Sequence, residues 1–324
     1  MLTNRLTNRH LPLVFLFLCS ALLPAATHAQ SGNKPSAAVP VKASKTAAGK
    51  AAETKHEDKR PDDVKRGEYL MKAAGCLGCH TAEGKESVPF AGGRALKTPF
   101  GTFYGPNITP HPTAGIGAWQ EADFTRAIRQ GERRDGAHYF PAFPYPSFTK
   151  MSDADIHDLW AYLRSLPPDA RRNQQHELKF PFGWRVLLGP WKWLFFTPGP
   201  MVADSKATPV VNRGAYIVNA LAHCGECHTD RNLLGGTKRD LLLGGTKSGP
   251  EGKSIPNITP TRLKKFGDGD LKEFLISGIT ADGDVPAEAM AEVIRNTTSQ
   301  LTPDDMAAMI AYLRQIPALP EPGK

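Results

Sequence analysis

A chain of 324 residues with 40% apolar side chains can pack one large domain or two small ones, which excludes a fibrous or wholly disordered protein. The formal charge of +8 is a poor argument for nucleic-acid binding: two cations in 1–29 and a net +4 in 30–60 leave only +2 for residues 61–324. Thirty glycines and 28 prolines mark a fold rich in loops and turns.

In chain order, residues 1–29 read as an export signal. Arg5, Arg9 and His10 form a positive start, and Leu11 to Leu23 is an apolar run of 13 residues. Thr27-His28-Ala29 resembles a cleavage site. The run is short for a membrane-spanning helix. A periplasmic protein is expected, and Cys19 leaves with the signal. Residues 30–60, rich in Ala, Lys and Pro, hold almost no bulky apolar side chain and read as a disordered linker.

Beyond it, one unit is written twice at an offset of about 150 residues, a domain-scale repeat. Arg66-Gly67-Glu68-Tyr69-Leu70 matches Arg213-Gly214-Ala215-Tyr216-Ile217. Cys76-Leu77-Gly78-Cys79-His80-Thr81 matches Cys224-Gly225-Glu226-Cys227-His228-Thr229. Pro106-Asn107-Ile108-Thr109-Pro110 recurs at Pro256 to Pro260, and Ala161-Tyr162-Leu163-Arg164 recurs at Ala311 to Arg314. Two tandem domains are expected, 61–168 and 205–320, mainly α, each with a few short helices and long loops around a bound group. Ser152, with Asp155 three residues on, caps the closing helix of the first. Ile156, Leu159, Trp160 and Leu163 form its apolar stripe. In the second, Thr302 is the cap, Pro303 the first helical residue and Met306, Ile310 and Leu313 the stripe. Gly67 and Gly214 would allow the helices before the Cys motifs to cross these closing helices closely. Asn107 and Asn257 read as turn formers. Between the domains, 169–204 is a Trp-rich strap, packed on apolar surface or offered to a membrane surface or partner.

Two Cys-x-x-Cys-His motifs carry the chemistry. Two thiols at this spacing can add to the two vinyl groups of one haem, and the adjacent histidine turns its ring to the iron. Zinc would need four ligands, and each repeat offers two Cys and one adjacent His. Plain disulfides, the usual fate of exported cysteines, would leave His80 and His228 unexplained. Two covalently bound haem c are therefore expected on Cys76, Cys79 and His80 and on Cys224, Cys227 and His228. His80 and His228 should each bond a backbone carbonyl through the free ring N–H. A methionine is the expected sixth ligand in an electron carrier. Met290 is the candidate in the second domain. In the first, Met151 is the candidate, with His138 and an open iron as alternatives; Met71, Met306 and Met309 read as core.

The chain resembles the di-haem cytochrome c family that includes cytochrome subunits of bacterial alcohol, gluconate and aldehyde dehydrogenases. The resemblance covers about 61–320 and rests on both Cys motifs, Asn107-Ile108-Thr109-Pro110 with Gly115-Ile116-Gly117-Ala118-Trp119, Tyr139-Phe140-Pro141-Ala142-Phe143-Pro144-Tyr145, and Met290-Ala291-Glu292-Val293. It implies two cytochrome-c-like domains relaying single electrons from a partner dehydrogenase to quinone or a terminal cytochrome. Met290 matches the family's ligand, and Trp119 a position near the haem. Phe143 stands where many relatives carry the axial methionine, and phenylalanine cannot ligate iron. That leaves a rival: a haem enzyme, a di-haem peroxidase or thiosulfate-oxidising cytochrome, with an open first haem.

Overall fold

The computed structural model describes residues 61–249, 252–280, 283 and 285–323. The expected export signal, Cys19 and the linker 30–60 lie outside the described residues.

The described chain is mainly helical. α1 (Pro61–Ala73) leads into α2 (Cys76–His80); a hairpin of β1 (Ala95–Thr98) and β2 (Gly101–Tyr104) follows. Next come α3 (Glu121–Gln130), α4 (Tyr145–Phe148) and the closing helix α5 (Asp153–Ser165). The strap contributes β3 (Glu177–Leu178) and α6 (Leu188–Phe195). The second repeat runs from α7 (Pro209–Tyr216), prolonged by a π-helical turn at Ile217–Leu221, through α8 (Pro260–Leu263), α9 (Asp268–Ser277) and α10 (Glu288–Asn296) to its closing helix α11 (Pro303–Gln315).

Both closing helices begin as the sequence predicts. The Ser152 hydroxyl accepts from the Asp155 N–H at 3.1 Å and the Thr302 hydroxyl from the Asp305 N–H at 3.2 Å, each satisfying a donor that the first turn leaves unpaired. Their stripes are buried: Ile156, Leu159, Trp160 and Leu163 in one, Met306, Ile310 and Leu313 in the other. Met71 and Met309 are buried with them, as expected of core methionines.

The two glycines explain how each opening helix meets its closing helix. A Cβ on Gly67 would stand 2.0 Å from the Asp158 carbonyl oxygen; one on Gly214 would stand 1.9 Å from that of Ala308. These are equivalent positions in the two repeats, so the same close backbone crossing is built twice, and only a residue without a side chain permits it.

Two features go beyond the sequence reading. First, the hairpin is extended by the strap: β3 pairs antiparallel to β2, Gly101 opposite Leu178 and Thr102 opposite Glu177. Gly101 has φ 125°, and a Cβ there would lie 2.3 Å from the Glu177 oxygen. Second, the repeats do not keep separate cores. One apolar cluster runs from Leu70, Ile128 and Leu159 through Val218 and Leu221 to Met309 and Leu313.

Reciprocal bonds seal this contact. The Tyr69 hydroxyl on α1 donates to Asp305 on α11, and the Tyr216 hydroxyl on α7 donates to Asp155 on α5. Each hydroxyl also receives the N–H of the opposite helix's cap residue, Thr302 at 3.4 Å and Ser152 at 2.9 Å. Each tyrosine thus closes the first turn of the other repeat's closing helix. Burial, with the acid it faces, raises both phenols above their ordinary range, so they stay protonated donors.

Candidate functional site

Each Cys motif begins where an opening helix stops. Gly75 sits in the left-handed region at φ 64° and starts α2; His223 does the same at φ 43° before a 3₁₀ turn at Cys224–Glu226.

The loop after each motif fixes the histidine. His80 Nδ1 lies 2.7 Å from the Pro106 carbonyl oxygen, and His228 Nδ1 lies 2.8 Å from that of Pro256. A carbonyl can only accept, so Nδ1 carries the proton and donates, and Nε2 is left with its lone pair. Burial lowers the pKa of both rings, which keeps them neutral. A neutral imidazole with its second nitrogen held in place is the state that binds a metal.

Asn107 and Asn257 do more than form turns. The Asn107 side-chain NH₂ donates to the carbonyls of Asp169 (2.9 Å) and Arg171 (3.0 Å), while its Oδ1 accepts from the Thr109 N–H and hydroxyl. Asn257 repeats the clamp on Leu319 (2.9 Å) and Pro320 (3.2 Å), with Thr259 in place of Thr109. The carbonyl that orients each histidine is therefore tied to the segment leaving the closing helix. Gly92 and Gly245 lie under these loops, where a Cβ would meet the Asn107 or Asn257 backbone nitrogen at 2.5 or 2.6 Å.

All four thiols of the two motifs are free. Desolvation pushes Cys76 and Cys224 up to about 12 and Cys79 up to about 11, and raises Cys227 as well. Such surroundings oppose a thiolate, the form that zinc requires. They suit a neutral sulfur bonded to carbon, the form in which a c-type haem is held. The residues present therefore fit covalent haem.

The two motifs also approach one another. A Cβ on Gly75 would lie 4.0 Å from His223 Cε1, so the residues just ahead of the two Cys pairs are neighbours. Cys227 is close enough for its charge to bear on Cys79. Ser147 of the first repeat donates to the carboxylate of Glu226, inside the second motif, at 2.7 Å. Glu292 of α10 stands over Gly78, inside the first, and pairs with Arg94 at 2.9 Å. These cross-repeat contacts, like the tyrosine pairs, are beyond the sequence reading. The signal available was a tyrosine and an acid at matching positions of both copies, but not which copy each would meet.

The candidate sixth ligands are placed differently. Met290 is half-buried in the first turn of α10, two residues before Glu292. Met151 has no accessible surface; it precedes the cap Ser152 and lies in the apolar cluster, and its carbonyl accepts from Arg129 at 2.6 Å. His138 lies under the strap, its Nδ1 3.2 Å from Lys192 Nζ. Phe143 packs against Tyr139, Tyr145 and Phe148. Trp119 is half-buried against the core.

A cytochrome c family model matches residues 64–167. A protein described as diheme cytochrome c-type, from Cereibacter sphaeroides, is 44% identical over 79% of this chain and 87% of its own length. The cytochrome c subunit of a quinone alcohol dehydrogenase from Gluconobacter oxydans is 39% identical over 80% of this chain and 55% of its own. The cytochrome subunit of a fructose dehydrogenase from Gluconobacter japonicus is 38% identical over 81% and 54%. The chain thus spans just over half the length of those two dehydrogenase subunits. Identity at this level, sustained over about four-fifths of the chain, makes it a member of the di-haem cytochrome c family.

Proposed function

We propose that this chain is an exported, periplasmic electron carrier with two tandem cytochrome-c-like domains, 61–168 and 205–320, each holding one covalent haem c. Cys76 and Cys79 hold the first haem and Cys224 and Cys227 the second, with His80 and His228 as proximal ligands. It takes single electrons from a partner dehydrogenase and delivers them to quinone or a terminal cytochrome.

The observation that carries this reading is the repeated histidine–proline pair, with bonds of 2.7 and 2.8 Å that leave both Nε2 atoms to an iron. When bound, haem supplies an iron that changes oxidation state by one electron with no proton or bond transferred. The chain's own part is to hold each imidazole neutral and oriented and to set the distance between the two sites. The closeness of Gly75 to His223 supports exchange between the sites. The Cereibacter relative's description supports two haems, and the alcohol and fructose dehydrogenase relatives support a dehydrogenase partner.

Met290 is proposed as the sixth ligand of the second haem. For the first haem the proposal retains Met151, whose burial is equally that of a core side chain. The rival, a haem enzyme open at the first iron, draws on Phe143.

The test is the mass and spectrum of the protein exported through a working haem-attachment system. Two haem additions are expected, falling to one in Cys76→Ala/Cys79→Ala. A colourless protein, or a single addition in the unaltered chain, refutes the proposal. Rapid cyanide binding at the first iron would decide for the enzyme reading over the carrier.

A further inference from the structure

The strap braces the repeats from outside: Leu188 is buried, Trp191 Nε1 donates to the Leu234 carbonyl at 2.9 Å, and Lys192 Nζ donates to the Gln130 carbonyl at 2.6 Å. That is one of the two roles its sequence suggested. The ground beside the two Cys motifs is held by other residues, and there one arrangement is built twice from unlike parts.

Gly78 and Glu226 are equivalent, each being the third residue of its Cys-x-x-Cys. In the second repeat the carboxylate therefore belongs to the motif itself. It accepts from the Ser147 hydroxyl at 2.7 Å and pairs with Arg231, three residues past His228. The first motif has no side chain at that position, and α10 of the second repeat fills the place. A Cβ on Gly78 would stand 3.1 Å from Glu292 Oε1, and Glu292 pairs with Arg94 at 2.9 Å. Arg94, like Arg231, follows its own motif in the chain. Each second cysteine thus has a carboxylate and a guanidinium acting on it. Burial first, and then Glu292, raises the Cys79 thiol against Arg94; burial first, and then Glu226, raises Cys227 against Arg231.

Helix geometry shows that Glu292 is set apart from Met290. Two residues of α-helix turn the side chain by about 200°, so the two leave α10 on nearly opposite sides. Asn296, one turn past Glu292, follows it: its Nδ2 lies 4.0 Å from the same Cβ position on Gly78. Thr297, which caps α10, reaches the first motif as well, its Oγ1 2.9 Å from a Cβ on Gly75. One side of α10 is committed to the first motif, and Met290 stands on the other. Neither ion pair is freely solvated: the side chains of Glu292 and Arg94 are 22% and 24% exposed, those of Glu226 and Arg231 17% and 32%. Charges so placed are screened less than surface charges. A fixed charge near a haem shifts the balance between its ferric and ferrous states.

We propose that Glu292 serves the first haem from the other repeat as Glu226 serves the second from within its own motif: each carboxylate is a fixed negative charge at the attachment turn that holds its haem's reduction potential down, opposed by the paired arginine. The sign follows from charge alone, since the ferric state carries one more positive charge than the ferrous. The inference rests on the two-haem reading above. It makes the first haem's potential a property of both repeats.

The test is a redox titration of the mature holoprotein in which each haem is followed through its own haem-methyl resonances. Glu292→Gln keeps the shape and removes the charge. It should favour the reduced first haem by a factor of about three to ten, which is about 30–60 mV for one electron, and move the second haem less. Arg94→Gln should move the first haem the opposite way. A turn that was merely loosened gives no reason for the sign to reverse with the partner removed, so opposite signs separate charge from packing. Glu226→Gln should raise the second haem more than the first. A first haem indifferent to Glu292→Gln, or a second haem that shifts more, returns Glu292 to its own repeat and overturns the proposal. Shifts of one sign in Glu292→Gln and Arg94→Gln overturn it too. Mass keeps this result apart from the two-haem reading: a single haem addition in the unaltered chain refutes that reading, whereas two additions with an unmoved first haem refute this inference alone.

Discussion

Replacing Asn107 by alanine tests whether the loop clamp, rather than the histidine alone, sets the ligand's orientation. Asn107 is 2% exposed and makes four side-chain hydrogen bonds between 2.7 and 3.0 Å. Alanine leaves the carbonyls of Asp169 and Arg171 and the N–H of Thr109 short of a partner in a place water cannot readily reach. Each such loss costs about 1 kcal/mol or somewhat more, so the site loses roughly 3–4 kcal/mol. The Thr109 hydroxyl recovers a little, because it already receives the Asp169 N–H at 3.1 Å. Asn107→Asp should be comparably poor although it keeps the acceptor, since it removes both donors and sets a charge against two carbonyls. Thermal or denaturant unfolding of the holoprotein measures the loss. The first haem's spectrum reports the second effect: with Pro106 loosened, the bond to His80 weakens and the proximal imidazole is no longer held in one orientation. A destabilisation below about 0.5 kcal/mol with an unaltered first-haem spectrum would refute the reasoning. The equivalent change at Asn257 should reproduce the effect at the second haem and leave the first alone.

Other consequences follow from the same contacts. Gly214→Ala places a Cβ 1.9 Å from the Ala308 oxygen, so α7 and α11 must separate by more than an ångström; a loss of about 3 kcal/mol or more in unfolding free energy is expected, and a neutral result would place the crossing elsewhere. Burial by itself would raise Asp305, but hydrogen bonds from Arg213 and Tyr69 outweigh it and hold the carboxyl below its ordinary 3.8. Its stabilising share is therefore complete above that value and disappears as pH falls through the lower folded pKa, so Asp305→Asn should flatten the acid limb of the stability–pH curve. Met290→Ala should abolish a methionine–iron charge-transfer band while leaving the fold's stability nearly unchanged; an intact band would dismiss Met290 as a ligand. Met151→Ala separates its two roles: packing predicts about 2–5 kcal/mol of destabilisation with unchanged spectra, and ligation predicts a spectral change at the first haem.

Much of the site was legible because it is local. Cys-x-x-Cys-His is complete within five residues, and the carbonyl partner of each histidine sits in a loop the sequence marks by repetition. Gly67 and Gly214 were readable for the same reason: a glycine kept at one place in both copies signals close approach. The missing features are long-range. Nothing in Tyr69 says that its acceptor is Asp305 rather than Asp155, because the two acids occupy equivalent positions and local spacing cannot tell copies apart. The three-stranded sheet was hidden by its short strands, one of which has two residues and exists only because the strap passes the hairpin. The shared core escaped because an apolar stripe declares that it is buried without naming what covers it.

Duplication explains why the two sites meet so closely. A unit that buries its opening helix against its own closing helix still leaves the first turn of that closing helix uncovered, with unpaired N–H groups. Two copies of the same unit can cover each other there, if each supplies a donor–acceptor group at the right place, and a tyrosine about two helical turns before the Cys motif does so in both directions. Because the tyrosine lies on the helix that leads into Cys76 or Cys224, the contact that joins the copies also fixes where the motifs stand. The distance between the two sites is then a property of the repeat interface and not of the strap, which ties the copies from outside. Changes in the strap's outer face should accordingly leave exchange between the sites untouched, whereas loss of the Tyr–Asp pairs should act on the exchange first.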